Sequence, residues 1–70
     1  MTVLENVAAA AIFAGGCSYG RAAEREAREH LEFVGLGAVA DRRAAALTLA
    51  LRKRLEFAKG LAMRPRLLLL

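Results

Sequence analysis

Hydrophobic residues recur at helical spacing in three segments of the chain, near residues 2–14, 21–34 and 48–63. Apolar side chains fall three or four positions apart, and charged residues interleave with them most clearly in the second segment. This period is typical of amphipathic helices. The sequence therefore predicts a mainly α fold of about three helices. The predicted buried faces are, in chain order, Val3, Leu4, Val7, Ala8, Ala11 and Ile12; Ala23, Ala27, Leu31 and Val34; and Leu51, Leu55, Ala58, Leu61 and Ala62.

Local signals predict how these helices begin and end. Thr2 and Glu5 have the spacing of a capping box, in which each side chain bonds the other residue's backbone N–H. Gly35 suits the left-handed position after the second helix, and Leu36 can fold back onto that helix. Thr48 is a candidate N-cap for the third helix.

The connections are less regular. The GGCSYG stretch, residues 15–20, predicts a mobile loop because three glycines permit many backbone conformations. Residues 36–46 predict a tight turn or one short helical turn, followed by an extended piece. Pro65 is predicted to end the third helix, and residues 66–70 then read as an apolar strand of the kind buried on both faces of a parallel sheet. The chain supplies no second strand to pair with this tail.

Composition bounds the kind of protein. The chain has 70 residues, 57% of them hydrophobic, with a mean hydropathy of +0.33, which excludes a disordered polypeptide. A chain of this length buries only about 60% of its unfolded surface. We therefore expect part of its apolar surface to lie against something else. Cys17 is the single cysteine, so an intrachain disulfide is excluded and a reducing compartment is expected.

Charge is divided unevenly along the chain. Residues 1–41 carry three basic and six acidic residues, a net charge of −3, whereas residues 42–70 carry eight basic residues and one acidic residue, a net charge of +7. Such a basic half suits nucleic acid, a membrane surface or a phosphate-bearing ligand. A small basic helical module for nucleic acid or a membrane surface is therefore an alternative function. It lacks a nucleic-acid-binding motif, interleaved aromatic residues and a tryptophan anchor.

Candidate catalytic chemistry is sparse. His30 is the lone histidine, and no serine, cysteine or carboxylate arrangement identifies it as a catalytic base, so we expect a structural role. Glu24 and Arg28 are spaced as an i,i+4 ion pair on a solvated helix face.

Four ordered pieces of the sequence follow the motif order of one known protein family. Residues 47–70 resemble the passage from an LSGGQ signature, through a basic pair and an apolar helix, to a hydrophobic Walker B strand. Residues 1–7 resemble the segment that follows a Q-loop, and 31–36 with 40–42 resemble a later segment of the same domain. Together the four pieces resemble the ATP-binding cassette (ABC) ATPases, and their residues are most similar to those of the ATPases of branched-chain amino-acid uptake transporters.

The resemblance implies that residues 1–70 are a partial nucleotide-binding domain, a helical piece of an α/β P-loop ATPase cut just before the Walker B carboxylates. The chain contains no G-x-x-x-x-G-K-[ST] phosphate loop and no glutamine. We therefore expect no ATP hydrolysis by this chain alone. ATP and magnesium would be cofactors of the parent protein, with neither bound to this chain alone.

The implied binding residues are those at the signature position, in contact with ATP held by a second subunit. They are Leu47, Thr48, Leu49, Ala50 and Leu51. Thr48 keeps the hydroxyl, but Leu49 and Ala50 stand where the family has glycines, and Leu51 replaces its glutamine. The hypothesis is a weakened or asymmetric half-site. A plain N-cap role for Thr48 explains that residue equally well.

The resemblance also implies partners. They are a second ATP-binding subunit and transmembrane permease subunits, the latter facing residues 2–14 and the GGCSYG loop, although the apolar face of 2–14 reads equally as core. The location would be cytoplasmic, on the inner face of the cell membrane. The strand-like tail is an edge through which copies could associate. No nucleic-acid partner is expected.

Overall fold

A computed structural model describes residues 1–13 and 20–69, with side chains as far as Met63. The described residues form three helices and two single turns of 3₁₀ helix, and they include no β-sheet. The mainly α fold predicted from the sequence is confirmed. The elements are α1 (Val3–Phe13), α2 (Arg21–Phe33), 3₁₀ turns at Gly37–Val39 and Ala44–Ala46, and α3 (Leu49–Leu69).

The three helices bury most of the apolar positions that their spacing predicted, whereas Ile12 and Leu61 are only partly buried. α1 packs against both α2 and α3, and small alanine side chains let the backbones approach closely. Leu4, Ala8 and Leu51 are partly buried against the cluster. The buried members of the core are Val3, Val7, Ala11, Ala27, Leu31, Leu36, Ala40, Leu47, Leu55, Ala58 and Ala62.

The capping box at the start of α1 is confirmed. The Thr2 backbone N–H donates to Glu5 Oε1 at 2.7 Å, and the Glu5 N–H donates to Thr2 Oγ1 at 3.0 Å. The N–H of Val3 donates to the Arg42 carbonyl at 2.8 Å and that of Leu4 to the Ala40 carbonyl at 2.9 Å. The backbone N–H groups from Thr2 to Glu5 therefore all have acceptors. Two of these bonds attach the first turn of α1 to the connection between α2 and α3.

α2 ends in the predicted left-handed glycine. Gly35 has φ +82°, and its N–H donates to the Glu32 carbonyl at 3.1 Å. The Leu36 N–H donates to the Leu31 carbonyl at 2.7 Å, and both leucine side chains are buried. This pattern is a Schellman motif with its hydrophobic contact.

α3 corrects one prediction from the sequence. The helix continues through Pro65 to Leu69, so the predicted end at Pro65 and the strand over 66–70 are wrong for residues 66–69; Leu70 lies outside the described residues. A strand needs a neighbour for its backbone N–H and C=O groups, whereas a helix bonds most of these groups internally. Because residues 66–69 are helical, the strand edge predicted for self-association is not present at those residues. Association of copies stays a prediction.

The connections match the sequence in part. Residues 36–46 contain two short 3₁₀ turns, and Arg43 between them is extended and forms an isolated antiparallel bridge with Thr2. The predicted GGCSYG loop, with Cys17, lies outside the described residues except for Gly20. Gly20 has φ +82° and immediately precedes α2.

No helix among the described residues is long and apolar enough to cross a membrane.

Candidate functional site

The residues at the predicted signature position surround the N-terminus of α3. Leu47 is extended, with φ −76° and ψ 149°, and its N–H donates to the Ala44 carbonyl at 3.1 Å. Its side chain is buried in the core cluster. The buried Leu47 side chain therefore holds the start of residues 47–51 against the core, and the chain reaches the surface at Thr48.

Thr48 is the N-cap of α3, as its position in the sequence predicted. Its Oγ1 accepts from the Leu51 N–H at 3.3 Å, and its carbonyl accepts from the Arg52 N–H at 2.9 Å. These two bonds satisfy the third and fourth N–H groups of the helix. The capping role is thereby confirmed, while a contact with nucleotide stays a prediction.

The first two N–H groups of α3 are different. Among the described residues, the backbone amides of Leu49 and Ala50 meet no hydrogen-bond acceptor. Both residues are exposed, and 69% of the Leu49 surface is accessible. Leu51, in contrast, packs partly against the core. The structure therefore brings two unbonded amides to the surface at the positive end of a 21-residue helix.

Charge around this helix end is positive. Glu5 and Glu24 lie in the first turns of α1 and α2, but the first turn of α3 contains no acidic residue. Arg52, Lys53 and Arg54 follow directly. Cations near a helix N-terminus are unfavourable by about 0.3–1 kcal/mol each at exposed positions. The arrangement thus costs the isolated fold something that a bound anion would offset.

Arg52 is part of this site and was not predicted to be. Its Nε donates to the Leu47 carbonyl and its Nη2 donates to the Ala45 carbonyl, each at 3.2 Å. In the sequence it is one of three consecutive basic residues, and nothing there singles it out. The contact depends on the 3₁₀ turn at Ala44–Ala46, which places those carbonyls within reach.

The site does not have the residues of a metal centre. Residues 47–52 contain no carboxylate, cysteine or histidine, and in the described parts of the chain no group of three His, Cys, Asp or Glu side chains could hold a metal ion. These residues do not fit magnesium. The adjoining cleft is lined by one acidic residue, Glu56, together with Asn6 and Arg52.

Other residues singled out in the sequence lie elsewhere. Arg28 Nη2 and Glu24 Oε1 form the predicted pair at 3.3 Å on the outer face of α2. His30 lies 3.6 Å from Glu26 on the same helix. On α1, Val3, Val7 and Ala11 are fully buried, so the interpretation of that apolar face as core is confirmed for those three residues.

Comparison with known proteins adds relatives over short lengths. The chain is 49% identical over 49 residues to the bicarbonate transport ATP-binding protein CmpC of Synechococcus elongatus, which covers 67% of this chain and 7% of that protein. It is 40% identical over 74 aligned positions to the protein of the same name from Synechocystis sp., covering all of this chain and 10% of that protein. No family model matches the chain. No solved structure matches it either.

These relatives are consistent with the resemblance read from the motifs, at a coarser level. The similarity supports the family of ABC transporter ATP-binding proteins, but it does not support specificity for branched-chain amino acids. The chain spans about a tenth or less of the length of the curated relatives it matches.

Proposed function

We propose that this chain is the helical segment of the ATP-binding subunit of an ABC importer, and that the N-terminus of α3 contacts ATP bound by a second copy or a paired subunit. The similarity to ATP-binding transport proteins supports the class of protein. The proposed contact rests on the geometry of residues 47–52.

One observation carries the proposal: the Leu49 and Ala50 amides have no acceptor among the described residues, and both residues are exposed. Backbone N–H groups at a helix N-terminus, together with the helix dipole, favour a phosphate. The Thr48 hydroxyl lies beside them, and the net charge of +7 over residues 42–70 adds a field of the right sign. The γ-phosphate of ATP is the anion that the family resemblance assigns to this position.

The side chains at 49 and 50 weaken this contact. A glycine lets a backbone amide approach a phosphate closely, whereas a Cβ keeps the anion at a distance. Leu49 and Ala50 both carry one. We therefore expect a weakened half-site that works beside a partner with an intact signature. A full-length homodimer with two equally active ATP sites would contradict this part of the proposal.

The remaining machinery belongs to other parts of the proposed subunit. ATP and magnesium would be held by a phosphate loop and Walker B carboxylates that this sequence does not contain. This chain by itself would not hydrolyse ATP. The subunit would lie on the inner face of the cell membrane against transmembrane permease subunits, with α1 or the 15–20 segment on the permease side.

Two substrates have support. The residues at the motif positions are most similar to those of branched-chain amino-acid uptake ATPases, whereas the relatives are named as bicarbonate transport proteins. Uptake of labelled leucine and of labelled bicarbonate, compared between a strain carrying the gene and a deletion strain, separates the two. Loss of one uptake activity and not the other identifies the substrate.

The experiment that tests the proposal is to read the coding DNA on both sides of this segment. We expect Asp and Glu codons directly after Leu70 and a G-x-x-x-x-G-K-[ST] sequence upstream of Met1. A stop codon after Leu70 with no phosphate loop upstream would overturn the proposal. Salt-dependent retention on a DNA column and co-sedimentation with liposomes would then test the binding-module alternatives.

A further inference from the structure

We propose that Arg52 is a positioning residue, which holds the N-terminus of α3 in the conformation that presents the Leu49 and Ala50 amides. The expected effect of Arg52 on ATP hydrolysis rests on the proposed function. Its effect on the conformation of the helix end does not.

The geometry is that of a side chain folded back over its own helix end. Arg52 lies four residues after the Thr48 cap, and its guanidinium donates to the carbonyls of Leu47 and Ala45, each at 3.2 Å. One of these carbonyls precedes the cap, and the other belongs to the 3₁₀ turn before it. The side chain therefore links three consecutive pieces: the turn, the extended Leu47 and the first turn of α3.

These bonds remove freedom where the chain has few other restraints. The Leu47 N–H is bonded within the 3₁₀ turn, and the Leu51 N–H is bonded to the cap at 3.3 Å, a long distance for such a bond. Thr48, Leu49 and Ala50 between them are exposed. A charged donor that reaches two carbonyls strengthens this otherwise lightly held corner.

The bonds also direct the charge of Arg52. A cation near a helix N-terminus faces the positive end of the dipole, but carbonyl acceptors offset that repulsion. The guanidinium thereby donates to the Leu47 and Ala45 carbonyls, on the N-terminal side of the cap. Lysine has the same charge, but it presents its donors from a single nitrogen at the end of a flexible side chain and lacks the fixed fork formed by Nε and Nη2.

The first test is amide hydrogen exchange in the 70-residue chain, comparing Arg52→Lys and Arg52→Gln with wild type. We expect both variants to speed exchange of the Leu47 and Leu51 amides by about three- to tenfold, the effect of losing one or two modest hydrogen bonds. The Leu36 amide, in the Schellman motif of α2, should not change. Arg28→Lys is the matched control, because Arg28 is an exposed arginine on α2, and it should leave Leu47 and Leu51 unchanged.

Two results would overturn the positioning role. One is exchange in Arg52→Gln that equals wild type, because glutamine removes the guanidinium fork, and the result would mean that the two bonds do not matter. The other is acceleration that includes Leu36 equally, which would indicate general destabilisation. If Arg52→Gln does not fold, Arg52→Ala, which keeps a strong helix former and has no side-chain donor, decides the question in its place.

A second readout separates this inference from the proposed function. In the complete ATP-binding subunit, Arg52→Lys should lower kcat by about three- to tenfold and leave KM for ATP within about twofold, because ATP is bound mainly by the other subunit. Arg28→Lys should leave both unchanged. Faster exchange of the Leu47 and Leu51 amides with unchanged kcat would support the positioning role of Arg52 and contradict the proposed contact of this helix end with ATP. Unchanged exchange of these amides in Arg52→Gln would refute the positioning role, whatever the kinetic result.

Discussion

Two helices of this protein, α1 and α3, begin after a threonine cap, but the first backbone amides of the two helices have different surroundings. α1 starts Thr2-Val3-Leu4-Glu5 and α3 starts after Thr48 with Leu49-Ala50-Leu51. At α1 the Val3 and Leu4 amides donate to carbonyls of the 40–42 connection, and Glu5 closes a capping box. At α3 the equivalent amides, those of Leu49 and Ala50, have no acceptor among the described residues, and Leu51 has no carboxylate with which to close a box.

The difference teaches that a cap residue does not by itself distinguish a structural helix end from a functional one. The two threonines accept equivalent bonds. What differs is the third residue after the cap and whether the fold covers the first two amides. A covered end is complete in itself, whereas an open end next to basic residues is suited to an anion.

The largest expected difference concerns Thr2. We expect Thr2→Ala to lower the free energy of unfolding by about 1–2 kcal/mol, because the capping box holds α1 at the centre of the core. Urea unfolding followed by circular dichroism measures this. Thr2→Ser keeps the hydroxyl and is the control. A smaller loss in the free energy of unfolding for Thr2→Ala than for Thr48→Ala would contradict this comparison of the two helix ends.

Thr48 should matter less for folding. Thr48→Ala removes one bond of 3.3 Å at an exposed helix end, so we expect a loss of about 0.5–1 kcal/mol in the free energy of unfolding. The same urea titration measures it, with Thr48→Ser as control. A loss as large as that of Thr2→Ala would show that the α3 end is as structural as the α1 end.

Acid should act on the α1 end selectively. The hydrogen bond from the Thr2 backbone N–H to the Glu5 carboxylate lowers the pKa of Glu5 below its ordinary value of 4.5. The stabilisation is therefore present above pH 4.5 and is lost as the pH falls through the lower folded-state pKa. Thermal unfolding measured from about pH 6 to about pH 2 should show a shallower decline in Glu5→Gln than in wild type. Equal slopes would exclude this carboxylate as a source of acid sensitivity.

The smallest expected effect concerns stability at Leu49. A carboxylate placed there by Leu49→Glu would face the positive end of the α3 dipole. We expect a gain of about 0.3–1 kcal/mol, since the Leu49 side chain is largely exposed and little burial is lost. Leu49→Gln, of similar size and uncharged, is the control. Equal stability of Leu49→Glu and Leu49→Gln would contradict the conclusion that this helix end is open to a negative charge.

Local rules predicted most of the fold because they act within a few residues. The box at Thr2, the left-handed Gly35 and the cap at Thr48 each depend on neighbours within six positions. The prediction for residues 66–70 was wrong because it inferred a strand from apolar residues alone, with no neighbouring strand to pair with. α3 instead continues to Leu69. The role of Arg52 could not be predicted, since it depends on where the turn before α3 places two carbonyls.

The most direct measurement of the central claim is ATP hydrolysis by the complete subunit carrying Leu49→Glu, with Leu49→Gln as control. A carboxylate at the open end of α3 should repel the γ-phosphate. At the ATP site that this helix end completes, we therefore predict a hydrolysis rate at least about tenfold below that of Leu49→Gln, with stability unchanged or raised, while the site completed by the partner's intact signature keeps its rate. Equal rates in the two variants, with both folded, would contradict the assignment of this helix end to the nucleotide.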